Sequence, residues 1–254
     1  MSELKKNLNN ESELYKNVLF IWLPKVAGTS IFKVLEKYGC QKLKRKCLYE
    51  NFENKGWVTF SHVSVLKLLK RKYVDKKFFD SAFKFAFVRN PWDRMVSLYH
   101  YRGYDNIMSF EDFVYLIKLK QKRQKMLLGK LFTKFLYVSP IVSKVTAKVL
   151  CRYKKIAWPL PEVGLYNVLE LSQANPQSKW LYDEKRNLIV DFLGYYENLD
   201  KDIETCFQKM GLNEKLDIYN TSVHKDYKLY YTDETINLVA DIYKEDIENF
   251  GYEF

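Results

Sequence analysis

The chain has 254 residues, 47% of them apolar, with 9 glycines and 6 prolines. This composition predicts a single globular domain over residues 1–254 with a sizeable core, and it excludes a disordered or fibrous chain. The longest apolar run, residues 18–23, is far shorter than the roughly 18 residues of a membrane-spanning helix. Residues 1–17 lack the apolar stretch of a secretory signal, so we expect a cytoplasmic protein.

The positive charge is concentrated in one segment. Lysine and arginine number 42 and aspartate and glutamate 31, a formal net charge of +11, and residues 118–155 contain twelve basic residues and no acidic one. Apolar residues at helical spacing over 126–136, and a second stretch at 141–150, predict amphipathic helices in this basic insertion. Three interpretations stay open: packed helices with lysines in water, a docking surface for an anionic polymer, or a contact with anionic lipid headgroups. Nucleic acid is not an expected partner, because no nucleic-acid-binding motif is recognisable.

The cysteines form no C-x-x-C pair, which argues against a zinc site or a redox motif. An even number of cysteines permits disulfides in an oxidising compartment, but a chain of this length does not need them for stability. We expect free and mostly buried thiols at Cys40, Cys47, Cys151 and Cys206.

Predicted strands and helices alternate in the first and last thirds of the chain. The upstream elements are a strand at 17–23, a turn at 24–28, a helix ending at Gly39, a strand at 58–60, a helix at 63–72, a strand at 83–88 and a helix at 92–101 with Asn90 as its N-cap and Pro91 at its first position. The downstream elements are a helix at 163–171, strands at 179–182 and 188–195, and helices at 200–210 and 233–248. This alternation predicts the α/β class, with a parallel sheet covered by helices.

The loop between the first strand and the first helix has the arrangement that binds phosphate. The helix start offers N–H groups and a positive dipole, Gly28 lets the backbone approach closely, and Lys25 supplies a full charge. Thr29 and Ser30 add hydroxyl donors. The alternative is an ordinary βα turn capped by its hydroxyls, because the loop is not the G-x-x-x-x-G-K-[ST] of ATP-binding proteins.

A second cation follows the strand at 83–88. Arg89 stands where P-loop kinases commonly carry an acidic residue that holds magnesium. A cation at the carboxyl end of a parallel strand points to a second anionic group on the ligand rather than to a metal. Ser97, two helical turns further on, is either a donor to the same anion or a buried serine bonded to its own helix.

Both pieces resemble one family. Residues 25–30 (KVAGTS) resemble the 5′-phosphosulfate loop of sulfotransferases, P-K-x-A-G-T-[ST], and residues 89–99 (RNPWDRMVSLY) resemble their 3′-phosphate motif, R-N-P-x-x-R-x-x-S-x-Y. The likeness is greatest to the carbohydrate sulfotransferases, a group that includes the heparan sulfate 2-O-sulfotransferases and bacterial relatives. Weaker likeness extends to residues 175–180, 192–199 and 246–254.

The resemblance implies a P-loop-like three-layer fold and the donor 3′-phosphoadenosine 5′-phosphosulfate (PAPS), used without a metal. It assigns the 3′-phosphate to Arg89 and Ser97. It assigns the 5′-phosphosulfate to Lys25, Ala27, Gly28, Thr29 and Ser30. Lys25 would act catalytically as well, by stabilising the charge that develops on the leaving phosphate oxygen during in-line transfer.

The same resemblance makes His62 the candidate general base for the acceptor hydroxyl, with a packing or capping histidine as the alternative. Glu50 and Glu53 are weaker candidates for the base. We expect His100 to pack or to lie at the surface, and His224 to lie in a stretch that resembles a loop closing over the donor. Arg94 is expected to form an ion pair with Asp93 or to bind a phosphate.

The sequence thus predicts a sulfotransferase acting on a hydroxyl of a carbohydrate, either a glycan or a glycolipid. An anionic acceptor and a lipid-linked acceptor are both open, and the latter adds peripheral membrane contact through residues 118–155. The alternatives are a nucleotide kinase that uses ATP and magnesium, and a non-catalytic module that binds acidic polymers or membranes.

Overall fold

The computed structural model describes residues 14–43, 55–101, 103–106, 108–125, 172–217 and 225–254. Its strands are β1 (Val18–Ile21), β2 (Gln41–Leu43), β3 (Trp57–Phe60), β4 (Phe83–Val88) and β5 (Phe192–Tyr195). Its α-helices are α1 (Gly28–Lys37), α2 (Val65–Lys70), α3 (Lys76–Ser81), α4 (Pro91–Tyr101), α5 (Phe110–Lys125), α6 (Ser178–Leu181), α7 (Leu199–Lys209), α8 (Asp233–Ile242) and α9 (Lys244–Phe250).

The strands form one parallel sheet in the order β2-β3-β1-β4-β5. The central strand β1 pairs on both sides, with Val18 opposite Trp57 of β3 and Phe83 of β4. All four of its residues are buried, which explains its continuous apolar sequence, because a central strand of a covered parallel sheet has no solvent-facing side. Helices flank the sheet, so the predicted α/β three-layer fold is confirmed.

The chain divides into two compact units. The first combines residues 1–89 with 177–221, and the second combines residues 90–176 with 222–254. The first unit holds the whole sheet with α1, α2, α3, α6 and α7, and the second holds α4, α5, α8 and α9. The sequence-based prediction of a single domain with a basic insertion stays a prediction.

Only the beginning of the basic segment 118–155 is described, as the end of α5. The helices predicted over 126–136, 141–150 and 163–171 lie outside the described residues. Within the described part of the chain, no helix combines the length and the apolar character needed to span a bilayer.

Aromatic rings fill the sheet core of the first unit. Phe20 and Phe85 lie on neighbouring strands and stack with centroids 4.8 Å apart. Gly194 of β5 packs against the ring of Phe87, and a Cβ at this position would lie only 2.3 Å from that ring. The glycine therefore allows strand β5 to lie beside a strand of large side chains.

The buried thiols of this unit match the expectation from the sequence. Cys40 and Cys206 are free and buried. Burial raises the pKa of the Cys40 thiol to about 12, and it raises the pKa of Cys206 as well. Both therefore stay protonated and unreactive near neutral pH. Cys47 and Cys151 lie outside the described residues.

A buried arginine organises the second unit. The Arg94 guanidinium donates to the carbonyl oxygens of Asn175, at 2.7 Å, and Gln173, at 3.3 Å. It also lies 4.0 Å from the carboxylate of Asp246 in α9, and the two side chains are 2% and 0% exposed. The ring of Tyr243 lies 5.2 Å from the guanidinium carbon. The acid in this ion pair is Asp246, whereas the sequence predicts Asp93 or a phosphate as the partner of Arg94.

Several predicted elements differ from the structure. The strand predicted at 179–182 is wrong, because Ser178–Leu181 forms a short helix and only Tyr182 makes an isolated antiparallel bridge, to Leu188. Four residues are too few for periodicity to separate a strand from a helical turn. The helix predicted at 233–248 is divided at Tyr243, which leaves helical geometry at φ −112°.

We predict that Asp246→Asn lowers the free energy of unfolding by about 3 kcal/mol or more, because it leaves the Arg94 charge buried without its anionic partner. Equilibrium unfolding in urea measures the change. The matched control is Asp80→Asn in the exposed Lys76–Asp80 pair, which should change stability by less than about 0.5 kcal/mol. Equal effects of the two substitutions would contradict a structural role for the buried pair.

Candidate functional site

The carboxyl ends of parallel strands lie at the same edge of a sheet, where α/β proteins bind their ligands. Four strands of the first unit place a functional candidate or its neighbour at this edge. These residues are Trp22 and the following loop after β1, His62 after β3, Arg89 after β4 and Tyr196 after β5. The topology therefore brings the loop, one histidine and one arginine to one edge of one unit.

The loop after β1 is bent by two residues in the left-handed conformation. Lys25 has φ 69° and Ala27 has φ 59°, values that cost a non-glycine residue of order 1 kcal/mol each. Helix α1 begins directly after Ala27, and its first bond runs from the Ile31 N–H to the Ala27 carbonyl at 3.2 Å. The first turn contains no acidic side chain. Backbone strain and a helix start with this polarity are typical of anion-binding loops.

Gly28 is required by its neighbour Trp22. A Cβ at Gly28 would lie 2.0 Å from the indole Nε1 of Trp22. The indole is buried, and it stacks on Phe20 and Phe32 with centroids 5.8 and 5.7 Å away. The sequence predicts a glycine here for the close approach of a ligand, and the structure adds the close approach of the Trp22 ring.

Arg89 connects the end of β4 with the loop. Its side chain is directed to the carbonyl of Lys25, to which Nη1 donates at 3.2 Å. The guanidinium carbon lies 4.0 Å from the ring centre of Tyr196, a cation–π contact. Arg89 is only 6% exposed. The arginine thus adds positive charge beside the loop and contacts a carbonyl group of one of its left-handed residues.

The backbone of Arg89 is held by Gln177. The Arg89 N–H donates to Oε1 of Gln177 at 2.9 Å, and Nε2 of Gln177 donates to the Arg89 carbonyl at 2.8 Å. Gln177 is fully buried. The sequence does not predict a functional role for Gln177 or Tyr196. The one signal for them is that they lie in the weakly matching stretches 175–180 and 192–199.

His62 lies in the turn after β3 and contacts Trp22. Its backbone is left-handed, with φ 60°. Nδ1 lies 3.4 Å from the carbonyl oxygen of Trp22, and the imidazole meets the indole edge-on with centroids 5.9 Å apart. The side chain is half-buried. If Nδ1 donates to this carbonyl, Nε2 carries the lone pair and is the atom that can accept a proton.

The other predicted candidates lie elsewhere. Ser97 is buried in α4 of the second unit, so its assignment to the same anion as Arg89 stays a prediction. His100 of that unit lies between Asp105, at 3.0 Å from Nδ1, and the Tyr230 hydroxyl, at 2.9 Å from Nε2. This agrees with the packing role expected for His100. His224, Glu50 and Glu53 lie outside the described residues.

The fold and the site define a three-layer α/β protein. At one edge of its sheet lie a strained glycine-containing loop and the side chains of His62 and Arg89. The chain belongs to the sulfotransferase family, since the sequence model of the family described as "Sulfotransferase family" matches residues 13–253. A protein of Archaeoglobus fulgidus, described as uncharacterized, is 30% identical over 164 residues, which are 62% of this chain and 92% of that protein. No solved structure matches the chain.

We predict that Gly28→Ala destabilises the protein by roughly 1–3 kcal/mol, because the new methyl group overlaps the Trp22 indole. Helix propensity alone would favour alanine by up to about 1 kcal/mol, so the sign of the change is diagnostic. Urea unfolding measures it, with Thr29→Ala at the next helix position as the control. Adding Trp22→Phe to Gly28→Ala should cost less than the sum of the two changes, and strict additivity would contradict the packing explanation.

Proposed function

We propose that this sulfotransferase moves a sulfuryl group from PAPS to a hydroxyl of a carbohydrate, with His62 as the general base. One observation carries the proposal: the Lys25–Arg89 contact and His62 both lie beside the loop that follows β1. Lys25 and Arg89, the two cations of the motifs that suggested the donor, are thus neighbours in the first unit.

The loop fits the doubly charged end of such a donor. Lys25 and the amides of Ala27, Gly28, Thr29 and Ser30 are assigned to the 5′-phosphosulfate, because backbone N–H groups at a helix start bind anions. A first turn without acidic side chains adds no repulsion. The bound donor supplies an activated sulfuryl group and a bisphosphate leaving group. Lys25 and these amides then stabilise the negative charge that grows on the leaving oxygen.

Arg89 is assigned to the 3′-phosphate, which distinguishes this donor from ATP. An arginine suits this task because its planar guanidinium presents several N–H donors in a fixed arrangement. Its contacts with the Lys25 carbonyl and the Tyr196 ring limit its freedom before any ligand arrives. Ser97 is assigned to the same phosphate from the motif alone.

His62 is assigned to remove the proton of the acceptor hydroxyl. In this role His62 is the tautomer whose Nδ1–H is directed to the Trp22 carbonyl, which leaves Nε2 as the basic atom. A left-handed backbone at a non-glycine residue is the kind of strain that is found at functional sites.

The acceptor is proposed from charge. Nζ of Lys42 lies 3.8 Å from the centre of the Trp22 ring, the same ring that His62 meets edge-on. A cation near the proposed base favours an acceptor that carries negative charge, such as an acidic glycan. A lipid-linked glycan is the second candidate, and it would place the enzyme at a membrane surface through residues 118–155.

We predict that the protein binds adenosine 3′,5′-bisphosphate without magnesium and more tightly than ADP or ATP. Arg89→Ala should weaken this binding roughly 10- to 100-fold, because it removes charge-assisted hydrogen bonds to the 3′-phosphate. Isothermal titration calorimetry measures both. Arg71→Ala, an exposed arginine beyond α2, is the control and should leave the affinity unchanged. Preference for ATP with magnesium would indicate a kinase, and no nucleotide binding would leave the non-catalytic module.

We predict that His62→Ala keeps the affinity for the bisphosphate but lowers kcat roughly 10²- to 10⁴-fold, the usual contribution of a general base. Transfer of radiolabelled sulfate from PAPS to a panel of neutral glycans, acidic glycans and glycolipids measures the rate. The acid limb of the pH–rate profile should disappear in the variant. A variant with an unchanged rate, or with lost bisphosphate binding, would remove His62 from the role of base.

A further inference from the structure

The residue before the second unit and the residue after it are bonded to each other. The chain leaves the first unit after Arg89 and re-enters it at Gln177. These two residues are 88 positions apart, yet the Gln177 side chain makes both hydrogen bonds that the Arg89 backbone offers, at 2.9 and 2.8 Å. Gln177 is fully buried, so water does not compete for either bond.

The two bonds act together as a neighbouring strand would. In a sheet, the N–H and the carbonyl of a residue are bonded by a neighbouring strand, and a primary amide offers both an acceptor and a donor. Beyond β4, the side-chain amide of Gln177 therefore continues the backbone pairing by one residue. Because the N–H and the carbonyl of Arg89 are both held, the direction of its Cα–Cβ bond is fixed.

The position of the Arg89 guanidinium depends on this fixed backbone. Arginine carries about 2 kcal/mol of side-chain conformational entropy, which opposes holding the guanidinium in one place. Its two named contacts, the Lys25 carbonyl and the Tyr196 ring, require one defined path from the backbone. The first of these contacts reaches the loop after β1.

We propose that Gln177 is a positioning residue of the donor site. It acts through Arg89, because fixing the arginine backbone preorganises the guanidinium. The guanidinium in turn holds the Lys25 carbonyl. It is not assigned a contact with any ligand. This inference rests on the proposed function, because the donor bisphosphate is the ligand that Arg89 is prepared to bind.

The decisive variant is Gln177→Glu, which keeps the size of the side chain and makes the Nε2 donor depend on pH. At about pH 8 the carboxylate accepts from the Arg89 N–H but repels the Arg89 carbonyl, so bisphosphate affinity should fall roughly 10-fold. As the pH falls toward about 5, the carboxyl group takes up a proton and regains a donor, which burial favours. The ratio of wild-type to variant affinity, measured by calorimetry at each pH, should then return toward about 3 or less.

Gln208→Glu on the exposed face of α7 is the matched control, and its affinity should follow the wild type at every pH. In a cycle with Arg89→Ala, the Gln177→Glu change should weaken binding no further, because its effect passes through the missing guanidinium. A purely structural role would lower stability but would produce neither the pH-dependent recovery nor the non-additivity.

A second measurement does not depend on the variant folding. In the wild-type protein, the Arg89 amide should exchange with deuterium as slowly as the amides of β4, and exchange at the rate of an open loop would overturn the inference. If the wild type binds the bisphosphate and Gln177→Glu binds it with the same affinity, the inference about Gln177 is overturned and the proposed function stands. Failure of the wild type to bind the bisphosphate overturns both.

Discussion

The parallel pairing of β1 with β3 on one side and β4 on the other is the constraint on which the candidate site depends. Because the strands run in the same direction, whatever follows each of them emerges at a single edge. The chain uses this edge for a strained loop, a histidine and an arginine that are separated by up to 64 positions in sequence. The apolar composition of β1 follows from the same constraint, since a strand with neighbours on both sides and helices above and below has no face for a polar residue.

Trp22 connects the sheet to the residues that follow the strands. Its ring stacks on Phe20 of the central strand and packs against Gly28 at the start of α1. The His62 imidazole lies at a steep angle to the indole, and Nζ of Lys42 lies over the indole ring. A buried indole has little rotational freedom, so the groups in contact with it are held in place before a ligand arrives. This explains how His62, which contacts the indole, can stay in the left-handed region: the surrounding packing compensates for its conformational cost.

The sequence was sufficient for the features that depend on neighbouring residues. Apolar runs located β1 and β4, the latter interrupted only by Lys84. Asn90 with Pro91 located the start of α4, where the Asn90 carboxamide accepts from the Trp92 N–H at 3.0 Å. It was not sufficient for features created by distant partners. The three-residue edge strand β2 exists because it pairs with β3, and the sequence wrongly predicts a strand where the short helix at Ser178 lies. The roles of Gln177 and Tyr196 depend on contacts with Arg89, which no local pattern contains.

The motif at residues 89–99 performs structural tasks with the same side chains that suggested its chemistry. Arg89 contacts the loop, the Asn90 carboxamide donates to the Glu253 carbonyl at 2.8 Å, and Arg94 lies in a buried pair with Asp246. A guanidinium that is 2% exposed and faces a buried carboxylate is committed to the fold, and binding a phosphate would require breaking that pair. Two arginines five residues apart therefore have different functions, although sequence alone cannot separate them. Their burial and partners place Arg89 at the candidate site and Arg94 in the framework of the second unit.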